Sequence, residues 1–133
     1  MSNNIKVLKG RHVQDYIEEL AALRVEIFRD FPYLYEGTMD YEAKYLQTLA
    51  QSDNSRVVLA LDGKRVVGAS TALPLTEADA DFQKPYSKPD EYFYFGESVL
   101  KAAYRGRGLG HVFFDEREKA AREGGYQKTC GHS

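Results

Sequence analysis

The stretch 105-RGRGLG-110, Arg105-Gly106-Arg107-Gly108-Leu109-Gly110, decides how the rest of the chain is read. Three glycines in five positions leave the main chain bare where a helical pattern begins. Upstream lies 91-EYFYFGESVL-100, apolar and aromatic nearly throughout, the pattern of a strand covered on both faces. Downstream, Val112, Phe113, Ala120 and Ala121 fall on one face of a helix from about residue 109 to 123, which Gly124-Gly125 ends. A strand that runs through a glycine loop into a helix makes an anion site. The first amides of a helix have no partner within it, and the helix dipole places about half a positive charge there. Glycines let phosphate oxygens reach those amides.

Working outward, Ile5 to Leu8 reads as a first strand. Val13, Ile17, Leu20, Ala21, Ile27, Phe28 and Phe31 then keep helical spacing until Pro32 breaks it. An aromatic loop, 31-FPYLYEG-37, leads to a second helix over about 40–50. Two β-branched strands follow, 56–61 and 66–73. Asp62-Gly63 between them supplies the positive φ of a tight antiparallel hairpin. Residues 74–90 form a long polar loop, in which 77–83 can hold a helical turn or an acidic solvated surface. Gly96, inside the apolar strand, predicts a bulge or a close ligand approach. Residues 126–130 open another strand. The order β, α, α, β, β, β, α, β predicts an α/β (α+β) sandwich around a mixed sheet.

Spacing separates the phosphate motifs. A Walker loop needs Lys-Ser or Lys-Thr after its last glycine, and His111-Val112 stands there. A G-x-G-x-x-G fingerprint fails from Gly106, where the last position is His111, and from Gly108, where it is Phe113. What remains, Arg105-x-x-Gly108-x-Gly110 after a strand and before a helix, resembles the acetyl-CoA loop of the GNAT acetyltransferase superfamily. The element order from residue 5 is also that of a GNAT domain. The stretches FRDFPYLYEG and YFGESVL further resemble bacterial GNAT proteins without a clear substrate.

The resemblance implies a mixed, mostly antiparallel sheet flanked by helices, and transfer of an acetyl group from acetyl-CoA, as co-substrate, to an unidentified amine. By position, amides from Arg105 through Gly106, Arg107, Gly108, Leu109 and Gly110 would bind the diphosphate. Ser98, Val99 and Leu100 at the strand end would pair with the pantetheine arm, and an amide near Val99 or Leu100 would face the oxyanion. The side chains of Arg105 and Arg107 either add charge there or are solvated surface. A GNAT domain continues with further strands and a helix. The resemblance therefore also implies one domain over 1–133, shortened at its C-terminus, with a second copy completing the sheet as a homo-oligomer. The same fold could instead serve as a CoA-binding or oligomerising module without catalysis.

Acetyl transfer needs a neutral amine, and a lysine-like amine has a pKa of about 10.4, so a base is useful. Glu97, beside Gly96, is the candidate, with Glu91 a weaker second; a hydrogen-bonded structural role for Glu97 stays open. Tyr33, Tyr35 and Glu36 in the aromatic loop suit a cationic amine, small-molecule or protein, or else form a packing corner. Cys130 reads as a free thiol, and His12, His111 and His132 have no metal-site spacing, so no metal is expected.

Composition bounds the rest. The chain has 133 residues, 43% hydrophobic and 29% charged, with a net charge of −2. That fits one globular domain and lacks the basic footprint of a nucleic-acid binder. No apolar run of about 18 residues exists to span a membrane. The first ten residues lack a signal-peptide core, so a cytoplasmic location is expected.

Overall fold

The computed structural model of the chain describes residues 4–29, 38–78 and 80–131. Five strands form one sheet in the order β1-β2-β3-β4-β5: Asn4–Lys9, Arg56–Asp62, Arg65–Pro74, Tyr92–Leu100 and Lys128–Gly131. The first four pair antiparallel, and β5 runs parallel to β4. The sheet is therefore mixed and mostly antiparallel, as expected. The β2–β3 hairpin closes with Asp62 opposite Arg65, and Gly63 takes φ 63° in its two-residue loop. That conformation suits glycine and matches the twist of the strands.

Helices cover both faces. Helix α1 spans Ile17–Arg29 and α2 spans Met39–Gln51; α3, Ala80–Gln83, is a single turn, and α4 spans Leu109–Glu123. On one face Leu20 and Ala21 of α1 and Leu46 and Leu49 of α2 cluster with Leu59, Ala69, Leu73 and Val99 of the sheet. On the other, Leu109 and Phe113 of α4 pack on Val58, Ala60 and Val67. Further along α4, Ala120 and Ala121 meet Ala72, Phe93 and Phe95.

Two details depart from the sequence reading. The first helical stretch divides: Gly10–Tyr16 is 3-10 and the α-helix starts at Ile17. Val13 and Ile17 are both buried, one in the 3-10 segment and one at the first residue of the α-helix, so their spacing spans the junction rather than one continuous helix. The long loop holds short 3-10 turns, Leu75–Glu77 and Pro89–Glu91, on either side of α3. Strand β4 lies inside the sheet between β3 and β5 and buries Phe93 to Gly96 against both helical layers, as the apolar run predicts.

The feature that positions the site is a bulge in β4. Ser70 pairs with Ser98, but Ala72 pairs with Phe95, so Gly96 and Glu97 together oppose Thr71. An extra residue bends its strand and raises the local twist. Strand β5 pairs with β4 only over Tyr92–Phe95, up to the bulge. Past it, among the described residues, the outer edge of β4 has no strand beside it.

Candidate functional site

The glycine loop sits where β4 ends. A 3-10 turn over Ala102–Tyr104 follows the strand, and the Arg105 amide donates to Ala102 O at 3.2 Å. Gly106 and Gly108 then take φ 78° and 80°, the left-handed region that other residues resist. Gly108 is the N-cap of α4 and has no side chain to cap it. The first amide of this region to bond backward is that of Val112, to Gly108 O at 3.3 Å. Among the described residues the amides of 106–111 make no hydrogen bond. A Cβ built on Gly106, Gly108 or Gly110 meets nothing within 4 Å. The main chain there faces open space, with unspent donors and the positive end of a helix dipole.

Side chains brace the loop. Arg107 lies over the Tyr104 ring, 5.1 Å from its centroid. The Tyr104 hydroxyl donates to Asp62 Oδ2, tying the loop to the β2–β3 hairpin. That hydrogen bond is the main cause that raises the Tyr104 pKa, and Arg65 and Arg107 pull the other way. Arg105 Nε donates to Leu100 O at 3.2 Å, across the end of the strand.

The open half of β4 has a definite polarity. Lys101 N donates to Val67 O at 2.9 Å, toward β3. Main-chain groups alternate sides along a strand, so those of Val99 also face β3 and those of Ser98 and Leu100 face the open edge. The short contact between Ser98 Oγ and Ser70 Oγ, 2.9 Å, fits a non-hydrogen-bonded pair, where side chains lie closest. With Leu100 O taken by Arg105, the open edge presents Leu100 N–H and both main-chain groups of Ser98.

Glu97 lies on the opposite face, in a cleft of about 450 Å³ lined by Arg24, Tyr45, Leu73, Glu77, Tyr94 and others. The bulge puts it there. The Glu97 amide donates to Thr71 Oγ1 at 3.2 Å, and the Tyr45 hydroxyl bonds the same threonine. Gly96 is needed for this packing, since a Cβ on it would lie 2.3 Å from Thr71 Oγ1. The Glu97 side chain is 41% exposed and ion-pairs with Arg24 Nη1. Arg24 Nε reaches Glu42 Oε2 at 2.6 Å. Burial works against the Arg24 charge, but Glu97 and then Glu42 outweigh it and its pKa is raised. Burial raises the Tyr45 hydroxyl and pushes Tyr94 up to about 12.

The structure thus brings Ser98, Leu100 and the glycine loop together along one edge, with Glu97 across the strand from them. Val99 faces inward in both respects: its amide is turned to β3 and its side chain is buried in the core. Glu91 is remote from the cleft and pairs with Lys128 Nζ at 3.1 Å. Tyr33, Tyr35, Glu36 and His132 lie outside the described residues. Cys130 is a free thiol near Tyr86, its pKa raised by burial. Among the described residues no cluster of His, Cys, Asp and Glu could hold a metal ion, and no helix is long and apolar enough to cross a membrane.

Sequence reasoning missed Arg24, Glu42, Tyr104 and Arg117. A signal existed for the first two. Arg24 falls on the stripe of Leu20, Ala21 and Ile27, and Glu42 on that of Leu46 and Leu49. A charge at helical spacing within an apolar stripe is a buried charge, and buried charges come paired.

Known proteins share this fold. No curated protein matches the sequence. Among solved structures, an aminoglycoside N-acetyltransferase in complex with CoA superposes with a TM-score of 0.70 at 12% identity, over 100% of this chain and 79% of that one. A second aminoglycoside acetyltransferase, from an uncultured soil metagenomic sample and in complex with sisomicin, gives 0.64 at 16% identity, over 98% and 77%. A ribosomal-protein-alanine N-acetyltransferase from Brucella melitensis biovar Abortus 2308 gives 0.60 at 16%, over 98% and 80%. At such identities these likenesses speak for the fold. The sequence itself matches the acetyltransferase (GNAT) family over residues 20–132. The chain therefore belongs to the acetyltransferase (GNAT) family of acyl-CoA-dependent N-acyltransferases.

Proposed function

We propose that this protein transfers an acetyl group from acetyl-CoA to an amine, the two substrates meeting where β4 opens past its bulge. The observation that carries this is the run of unbonded amides over 106–111, facing open space at the head of α4 and beside the free edge of β4. Amides of Gly106 to Gly110 would hold the diphosphate, with Arg107 and Arg105 beside it. The Arg105 amide is left out, being spent in its own turn. Ser98 and Leu100 would pair with the pantetheine arm. The Leu100 N–H, which faces the open edge, suits the developing oxyanion better than Val99. Acetyl-CoA supplies the thioester whose C–S bond breaks as the new C–N bond forms.

Glu97 would take the proton that the attacking amine sheds, and the CoA sulfur leaves as a thiol once protonated. Tyr33, Tyr35 and Glu36 are proposed to line the acceptor pocket. The acceptor remains a small-molecule or protein amine, since the structural relatives themselves act on both kinds. We further propose that a second copy covers the outer edge of β5, which has no strand beside it among the described residues. Gel filtration at high concentration should then give a dimer, and a clean monomer counts against it.

A second reading, CoA binding without transfer, is favoured by one observation: Glu97 already spends an oxygen on Arg24. Acetyl-CoA with a panel of amines, read by thiol release, separates the two. Transfer predicts turnover that Glu97→Gln lowers by about 100-fold or more, with CoA affinity unchanged. CoA binding without turnover on any amine supports the second reading.

A further inference from the structure

Two buried charges behind Glu97 have no part in the reaction as drawn. Glu42 is 1% exposed and Arg24 7%. The guanidinium is held at two nitrogens and lies over two rings. Nε is held by Glu42 Oε2 at 2.6 Å and Nη1 by Glu97 Oε2. Its carbon lies 4.5 Å from the Tyr45 ring centroid and 4.9 Å from that of Phe28. A guanidinium tied to a buried carboxylate and stacked on rings cannot follow Glu97 if it swings; Glu97 must come to it.

The same contacts fix the charge. Two carboxylates share one guanidinium, so the cluster carries one excess negative charge. It falls on the partly exposed member, Glu97. Among the described residues Glu97 Oε1 has no hydrogen bond. The other groups facing the cleft do not cancel the excess. Tyr45 from α2 and Tyr94 from β4 are held neutral, since burial raises both. Lys44 from α2 and Glu77 from the turn after β3 carry opposite charges, and Glu77 is bonded by Ser52 Oγ at 2.7 Å.

We propose that Arg24, clamped by Glu42, is a positioning residue that commits Oε2 of Glu97 and leaves Oε1 as the atom that meets the acceptor's ammonium. This rests on the acetyl-transfer reading for the identity of the acceptor, but not for the coupling among the three side chains. The coupling is tested directly by carboxyl 13C NMR of protein labelled at glutamate, with the Glu97 resonance assigned by its loss in Glu97→Gln. The two variants should move the Glu97 titration in opposite directions. Arg24→Met removes the shared cation and shifts it to higher pH; Glu42→Gln turns the whole guanidinium to Glu97 and shifts it to lower pH. Arg24→Lys, which retains a charge should Arg24→Met fail to fold, shifts it less. Superimposable titrations overturn the proposal, and the kinetic coupling with Glu97→Gln separates a positioning role from a charge that merely lies nearby.

With an amine found by the panel, Arg24→Met should lower kcat about tenfold or more and lower it no further in a Glu97→Gln background. Independent, additive losses contradict the assignment. CoA-induced stabilisation should survive in every variant. Its absence in the unaltered protein sinks the acetyl-transfer reading and leaves the carboxyl titrations alone to decide the Arg24 couple.

Discussion

Gly108 takes φ 80° at the cap of α4, and its missing Cβ faces open space. Gly108→Val should therefore cost about 1–2 kcal/mol from backbone strain and also remove the stabilisation that CoA confers. Gly125 shares φ 80° and an empty surround, away from the loop. Gly125→Ala should destabilise without touching the CoA response, and a Gly108→Val protein that still responds contradicts the cradle. Arg117 makes a different case. It is 8% exposed on α4, has no carboxylate partner among the described residues, and meets Gly96 O only at 3.4 Å and the Phe95 ring at 4.7 Å. Burial pushes its guanidinium down to about 10, well below the ordinary arginine range. Its charge opposes folding below about pH 10, and the folded state gains from this group as pH rises above that value. Arg117→Met should raise stability by about 1 kcal/mol at pH 7 in thermal unfolding; a clear loss shows that the ring and carbonyl contacts hold α4. At this scale the glycines were legible, because positive φ and bare backbone are properties of the residue itself. Arg24 was not, because its role depends on a second helix that brings Glu42 to it.

The bulge in β4 links the two halves of the site, turning Glu97 into one cleft and Ser98 toward the other face. Its seat is Thr71 Oγ1, which accepts the Glu97 amide and blocks any Cβ on Gly96. Gly96→Ala should destabilise by about 1–3 kcal/mol through overpacking. Thr71→Ala in the same chain should recover part of that loss, because the clash is with the hydroxyl; strictly additive losses in chemical denaturation count against this account. The strand was visible in 91-EYFYFGESVL-100 as a run apolar and aromatic nearly throughout. Its place in the sheet was not. Such a run says that both faces are covered, and it is silent on which strand lies alongside. Parallel pairing with β5, and its end at the bulge, depend on contacts between residues more than 30 positions apart, such as Tyr92 with Lys128.

Across the whole molecule, sheet, helices and loop set the head of α4 beside the open edge of β4. The β2–β3 hairpin, the glycine loop and the amphipathic helices each carry local signals, which is why the sandwich could be read from sequence. The cleft under Glu97 is assembled from α1, α2, β3 and β4, and no local pattern announces such an assembly. The account depends most on whether the free amides over 106–111 bind a CoA diphosphate. Thermal unfolding with CoA, NAD or ATP measures this directly. CoA at about 100 times its dissociation constant should add about 2.7 kcal/mol of stability, and NAD and ATP should add far less. Equal shifts with all three, or none with CoA, would contradict it.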